Sequence, residues 1–119
     1  MDLRALFRAT LIGTAAQLGM IVAGHFVPFV RDHLFMIGGL LLSLAAGVIY
    51  ALRARGGAVS SLVGGLIAGG VSAVIAIAAS VALHDTPASI LLLGTMGSAT
   101  TGVIGGGLGK SLRTRLKAP

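Results

Sequence analysis

Chemistry in this chain has to come from very few side chains. The 119 residues hold three histidines, His25, His33 and His84, and three acids, Asp2, Asp32 and Asp85, while Glu, Cys, Asn and Trp are absent. His25, Asp32 and His33 lie close together in the sequence, and His84 and Asp85 are adjacent. Neutral imidazoles with carboxylates are the donor set of a zinc site, and histidine also handles protons near neutral pH. The spacing matches no metal motif. His25 stands five residues before Val30, roughly 7.5 Å of helix rise below the interface, which separates it from the other donors. The expectation is therefore no metal and no cofactor, with Asp32, His33, His84 and Asp85 forming solvated or hydrogen-bonded turns.

His25 is the one ionisable residue, apart from the phenol of Tyr50, within an apolar stretch. Such a group is a functional candidate by default. A haem or pigment pocket would need aromatic lining that one Tyr, four Phe and no Trp do not supply. His25 is expected to reach the interface or a backbone carbonyl, and its loss to cost more than the loss of His33 or His84. Gln17 lies near the middle of the same stretch, where its amide requires a partner on another helix or a polar path to line. A nucleophile beside a base and a buried carboxylate pair are both lacking, so no catalytic residue is expected. The glycine-rich segment 105–111 imitates the tail of a phosphate-binding loop without its strand or its full register.

These residues must be held by helices in a bilayer. Hydrophobic residues make up 55% of the chain and charged ones 10%, against about 25% charged in soluble domains. Four runs, 9–30, 34–52, 58–83 and 87–108, contain no Asp, Glu, Lys or Arg. Runs of roughly 18 or more such residues span a membrane as helices. The expected fold class is an all-α, four-transmembrane-helix bundle with short loops, which excludes a soluble enzyme or a nucleic-acid-binding domain. Pro28 is expected to kink or end the first helix. Asp85 or Thr86 should cap the fourth, with Pro87 in its first turn, and 110–119 should form a basic tail.

The net charge of +6 sorts by side. Arg4, Arg8, Arg53, Arg55, Lys110, Arg113, Arg115 and Lys117 fall with the termini and the middle loop, and Arg31 alone falls with the two outer turns. The positive-inside rule puts both termini in the cytoplasm, as in a bacterial inner membrane, with the tail against anionic lipid head groups. Tyr50, at the inner end of the second run, is expected to anchor depth there.

Nineteen glycines form rows at four-residue spacing, the arrangement by which helix backbones approach in lipid. The third run with its approach carries Gly57, Ser61, Gly65, Gly69 and Ala73, beside a second row of Gly56, Ser60, Gly64, Ala68, Ser72, Ala76 and Ser80. The fourth carries Gly94, Ser98, Gly102 and Gly106, beside Gly97, Thr101, Gly105 and Gly109. The second has Gly39, Ser43 and Gly47, and the first Ala15, Gly19 and Ala23. Two uses are open: close packing inside one bundle, or one row per helix left for another chain. An offset of 55 residues, which brings Gly39 onto Gly94 and Gly47-Val48-Ile49 onto Gly102-Val103-Ile104, suggests a weak internal repeat.

The preferred functional expectation is a non-enzymatic protein that packs through these rows, as a homo-oligomer or an accessory subunit of a larger membrane complex. The alternative is a small transporter or channel for an uncharged or apolar solute, a holin-like pore included, its path lying around Gln17 and the hydroxyls.

Overall fold

The computed structural model describes residues 2–54 and 56–117, leaving aside the side chains of Arg31, Asp32 and Lys117. It is all helical: α1 (Leu3–Phe26), α2 (Pro28–His33), α3 (Phe35–Arg53), α4 (Ala58–Ala82) and α5 (Ser89–Lys117). Four of these, α1, α3, α4 and α5, are long and apolar enough to cross a membrane. The bundle is inside-out relative to a water-soluble one. Leu3, Leu11, Ile37, Leu41, Leu92 and Leu93 are among many large apolar side chains facing outward, while Ala, Ser and Gln17 occupy the interior. An apolar exterior is stable against lipid and not against water, so the chain fits a small integral membrane protein.

Helix ends follow local chemistry. The Asp2 side chain accepts from the Ala5 backbone N–H at 3.1 Å and caps α1, so the helix begins at Leu3 rather than at the start of the apolar run. α1 stops at Phe26, short of Val30, because the residue before a proline is driven to extended backbone; Val27 has φ −119 and ψ 101. Pro28 then opens the short α2 at a position where its missing N–H costs nothing.

The end of α4 closes in a Schellman arrangement. The Asp85 N–H donates to the Ser80 carbonyl and the His84 N–H to the Val81 carbonyl, both at 3.0 Å. His84 takes the left-handed position usually given to glycine, with φ 62. The expected start, with Asp85 or Thr86 as cap and Pro87 in the first turn, lies ahead of the helix that forms. The Thr86 hydroxyl bonds the Ser80 hydroxyl at 2.6 Å, and α5 starts later, at Ser89. At its other end α5 runs on as helix to Lys117, through most of the segment expected as a tail. Its 29 residues measure about 43 Å, more than the roughly 30 Å of bilayer hydrocarbon. Its basic end therefore projects, and the Arg113 guanidinium donates to the Gly56 carbonyl at 2.9 Å.

α3 and α4 pack on each other and both pack on α1 and α5, whereas the backbones of α1 and α5 do not approach each other closely among the described residues. The section is thus a rhombus with α3 and α4 on its short diagonal. A two-fold repeat exchanging the hairpins would equate the α3–α4 pair with the α5–α1 pair. One is packed and the other is not, so the 55-residue offset has no counterpart in the packing.

Candidate functional site

Small-residue rows set how closely the helices approach. A Cβ added to Gly102 would run into the Gly65 carbonyl oxygen and lie 3.1 Å from the Gly69 Cα. One on Gly47 or Gly65 would strike the Gly102 carbonyl oxygen, and one on Gly106 the Ser61 carbonyl oxygen. A Cβ on Gly69 would lie 2.9 Å from both the Gly102 Cα and the Ser98 carbonyl oxygen. The first row of α5 therefore meets α4. Its second row meets α3, since Gly105 would strike the Leu44 carbonyl oxygen and Gly109 the Val48 carbonyl oxygen at 2.7 Å.

The second row of α4 is also occupied from within the chain. Gly64 accommodates the Tyr50 ring of α3. Ser72 stands against Gly13 of α1; its hydroxyl donates to the Ala68 carbonyl of its own helix at 2.6 Å and lies 3.3 Å from the Thr10 carbonyl oxygen. Both rows on both helices thus have partners in the same chain. Tyr50 is correspondingly fully buried, with its hydroxyl 3.5 Å from the Ser60 hydroxyl. It fills the space that Gly64 leaves rather than facing the membrane interface. One row is different: Ala15, Gly19 and Ala23 on α1 are exposed, and nothing stands within 4 Å of a Cβ on Gly19.

Gly39 and Gly94 play another part. A Cβ on Gly39 would meet only Gln17 Oε1 at 3.8 Å and Met20 Cε at 4.0 Å, and one on Gly94 would meet the tip of the Ile77 side chain. Neither is pressed against backbone, because both border a cavity of about 490 Å³. The cavity exists where the backbones of α1 and α5 stay apart, in the half of the bundle nearer the two hairpin turns. Its walls are mainly apolar, with Met20, Ile21, Leu40, Ile77, Ile90 and Leu93 among them. Gln17 and Ser98 line it deepest, while His33, Ser80, Asp85 and Thr86 line it toward the turns.

The candidate polar residues separate into a mouth and a floor. At the mouth His25 Nδ1 and Asp85 Oδ2 are 2.7 Å apart, joining the last turn of α1 to the α4–α5 turn across 60 residues. The Asp85 side chain is 8% exposed and His25 36%. The Schellman turn at His84 is what directs Asp85 inward, and His84 itself is exposed. His33 Nδ1 lies 3.2 Å from the Phe29 carbonyl oxygen and its ring stacks on Phe29 at 4.7 Å. The Asp32 side chain lies outside the described residues. No three His or Asp side chains gather in metal-binding geometry among the described residues. The sequence placed His25 and Asp85 at the same end of the bundle without pairing them, since a contact between the first helix and the last turn has no local signal.

At the floor Gln17 is 2% exposed and its Nε2 donates to the Ser43 hydroxyl at 3.1 Å. Ser43 in turn donates to the Gly69 carbonyl at 3.3 Å, so one polar chain links α1, α3 and α4. Sequence reading did not single out Ser98 as a site residue. Its hydroxyl looked like any of the helix hydroxyls, and only the cavity distinguishes it.

In comparisons with known protein families, curated proteins and solved structures, none matches this chain. The fold and site define a class only: a four-span membrane protein with an apolar cavity between its first and last helices.

Proposed function

We propose that the protein is a small transporter or channel for an uncharged, mainly apolar solute, which occupies the cavity between α1 and α5. The observation that carries this reading is the cavity itself. Its 490 Å³ fall within the roughly 300–1,000 Å³ of small-molecule sites, and apolar walls with a few placed polar groups are their usual make-up. The protein acts without catalysis in this reading. Its termini face the cytoplasm and its hairpin turns the outside, as the eight-to-one basic bias supports, and the basic end of α5 meets anionic head groups.

The test is solute-induced swelling of proteoliposomes with butane-1,4-diol, pentane-1,5-diol and hexane-1,6-diol, uncharged solutes with an apolar body. Wild-type vesicles are expected to pass at least one of these faster than protein-free vesicles. Gly39→Leu, which fills the cavity and whose Cβ would meet only the side-chain tips of Gln17 and Met20 and no backbone, is expected to abolish the difference. Wild-type vesicles that swell no faster than empty ones refute the proposal.

Self-association is a second reading, and the exposed Ala15, Gly19 and Ala23 row on α1 favours it. The rows on α4 and α5 no longer require a second chain. A homo-oligomer would therefore form through α1, and Gly19→Leu would dissociate it in native mass spectrometry while Gly69→Ala would act on the fold instead.

A further inference from the structure

The cavity floor identifies a chemical feature of its occupant. Ser43 gives its one hydroxyl proton to the Gly69 carbonyl, so toward Gln17 it can only accept. That fixes the Gln17 amide with Nε2 on Ser43 and Oε1 turned away from it, toward the side of α3 where Gly39 has no side chain. Oε1 takes no hydrogen bond among the described residues, although the side chain is 2% exposed and lines the cavity. On α5 the Ser98 residue is 4% exposed and lines the same cavity. Its hydroxyl likewise makes no hydrogen bond among the described residues.

At the mouth the situation differs. Ser80 and Thr86 bond each other, His33 Nδ1 lies against the Phe29 carbonyl, and Asp85 pairs with His25. The floor presents one acceptor and one hydroxyl with no partner among the described residues, surrounded by apolar walls. In such surroundings an unpaired polar group is costly, and a ligand group that satisfies it is selected strongly over an isostere that does not.

We propose, resting on the reading of the cavity as a solute site, that the solute is an apolar molecule bearing a hydroxyl, an alcohol or a phenol. Its O–H donates to Gln17 Oε1 and its oxygen accepts from the Ser98 hydroxyl. The apolar body lies along Met20, Leu40, Ile77 and Leu93 toward the turns. A hydroxyl suits both groups at once because it is donor and acceptor in one atom. An ether can only accept, a hydrocarbon can do neither, and a lipid acyl tail leaves both residues unpaired. Bound this way, the solute joins α1 to α5, the two long helices whose backbones do not approach closely.

The experiment measures saturable binding of tritiated 4-butylphenol, 4-butylanisole and butylbenzene to the full chain in nanodiscs, with protein-free nanodiscs subtracted. The phenol is expected to bind about tenfold more tightly than its methyl ether, the factor that corresponds to about 1.4 kcal/mol. Ser98→Ala removes no hydrogen bond seen within the described chain, and it is expected to weaken the phenol several-fold while leaving butylbenzene unchanged. Gln17→Leu should bring phenol and ether to equal affinity. Because that variant also breaks the link to Ser43, its helicity is checked by circular dichroism, and Ser98→Ala stands as the independent arm. Equal binding of phenol and ether by the wild type overturns the hydroxyl assignment and leaves the cavity as a solute site. Failure of all three probes to bind saturably overturns both.

Discussion

Adding one methyl group at Gly102 tests the packing of the whole bundle. In Gly102→Ala the new Cβ falls on the Gly65 carbonyl oxygen, with the Gly65 carbonyl carbon and the Gly69 Cα each 3.1 Å away. All three are backbone atoms, so no rotamer change relieves the overlap. α4 and α5 must separate until carbon contacts return to roughly 3.5–4 Å, and a gap of 0.5–1 Å elsewhere along the pair forfeits a quarter to a half of each contact's attraction. Overpacking of a close-packed interior costs typically about 1–3 kcal/mol. Gly102 also receives Gly47 of α3, so the disturbance reaches a second interface and the expected loss is about 3 kcal/mol. Gly19→Ala is the matched control, because its Cβ meets nothing within 4 Å, and its effect should stay within about 0.5 kcal/mol. Both are read from reversible unfolding in mixed micelles titrated with sodium dodecyl sulfate and followed by circular dichroism. Equal midpoints for Gly102→Ala and Gly19→Ala would falsify the assignment of this row to the α4–α5 contact.

Three further outcomes follow from other contacts. Removing the clasp at the mouth by His25→Ala or Asp85→Asn should speed amide exchange in residues 83–88, and a double-mutant cycle should show the two losses to be coupled rather than additive; additive effects would mean that the pair holds nothing together. Tyr50→Phe should cost less than about 0.5 kcal/mol, since its hydroxyl contact is at the outer limit of a hydrogen bond, while Tyr50→Ala should cost about 3–5 kcal/mol; a phenylalanine variant as damaged as the alanine variant would show that the hydroxyl matters more than the ring. His84→Gly should stabilise the chain by about 0.5–1 kcal/mol by relieving the left-handed backbone, measured in the same detergent titration, and destabilisation would show that the imidazole is needed.

The four spans were legible in the sequence because a bilayer imposes length and composition on each helix separately. Long charge-free runs need no knowledge of neighbours. The break at Val27 was partly legible, as Pro28 marks it, but the pre-proline restriction moves the stop back to Phe26. What depends on which helix meets which was not legible. The doubled rows on α4 and α5 are compatible with one chain or two until α3 and α1 are seen to occupy them. Tyr50 at a span end reads as an interfacial anchor unless one knows that Gly64 opens a slot for its ring. Gly39 and Gly47 have the same sequence signature, yet one borders a cavity and the other presses on α5 backbone. The cavity itself arises from a close approach that the backbones of α1 and α5 do not make.

The bond between His25 and Asp85 also bears on how the chain is built. The first helix is made long before the turn that secures its end, 60 residues later. At synthesis rates of about 5–20 residues per second, that interval is roughly 3–12 s. Gln17 has a shorter delay, since Ser43 arrives with the very next membrane-crossing helix. α1 is therefore made first and fastened last, and the last turn of the chain is the one that locks it.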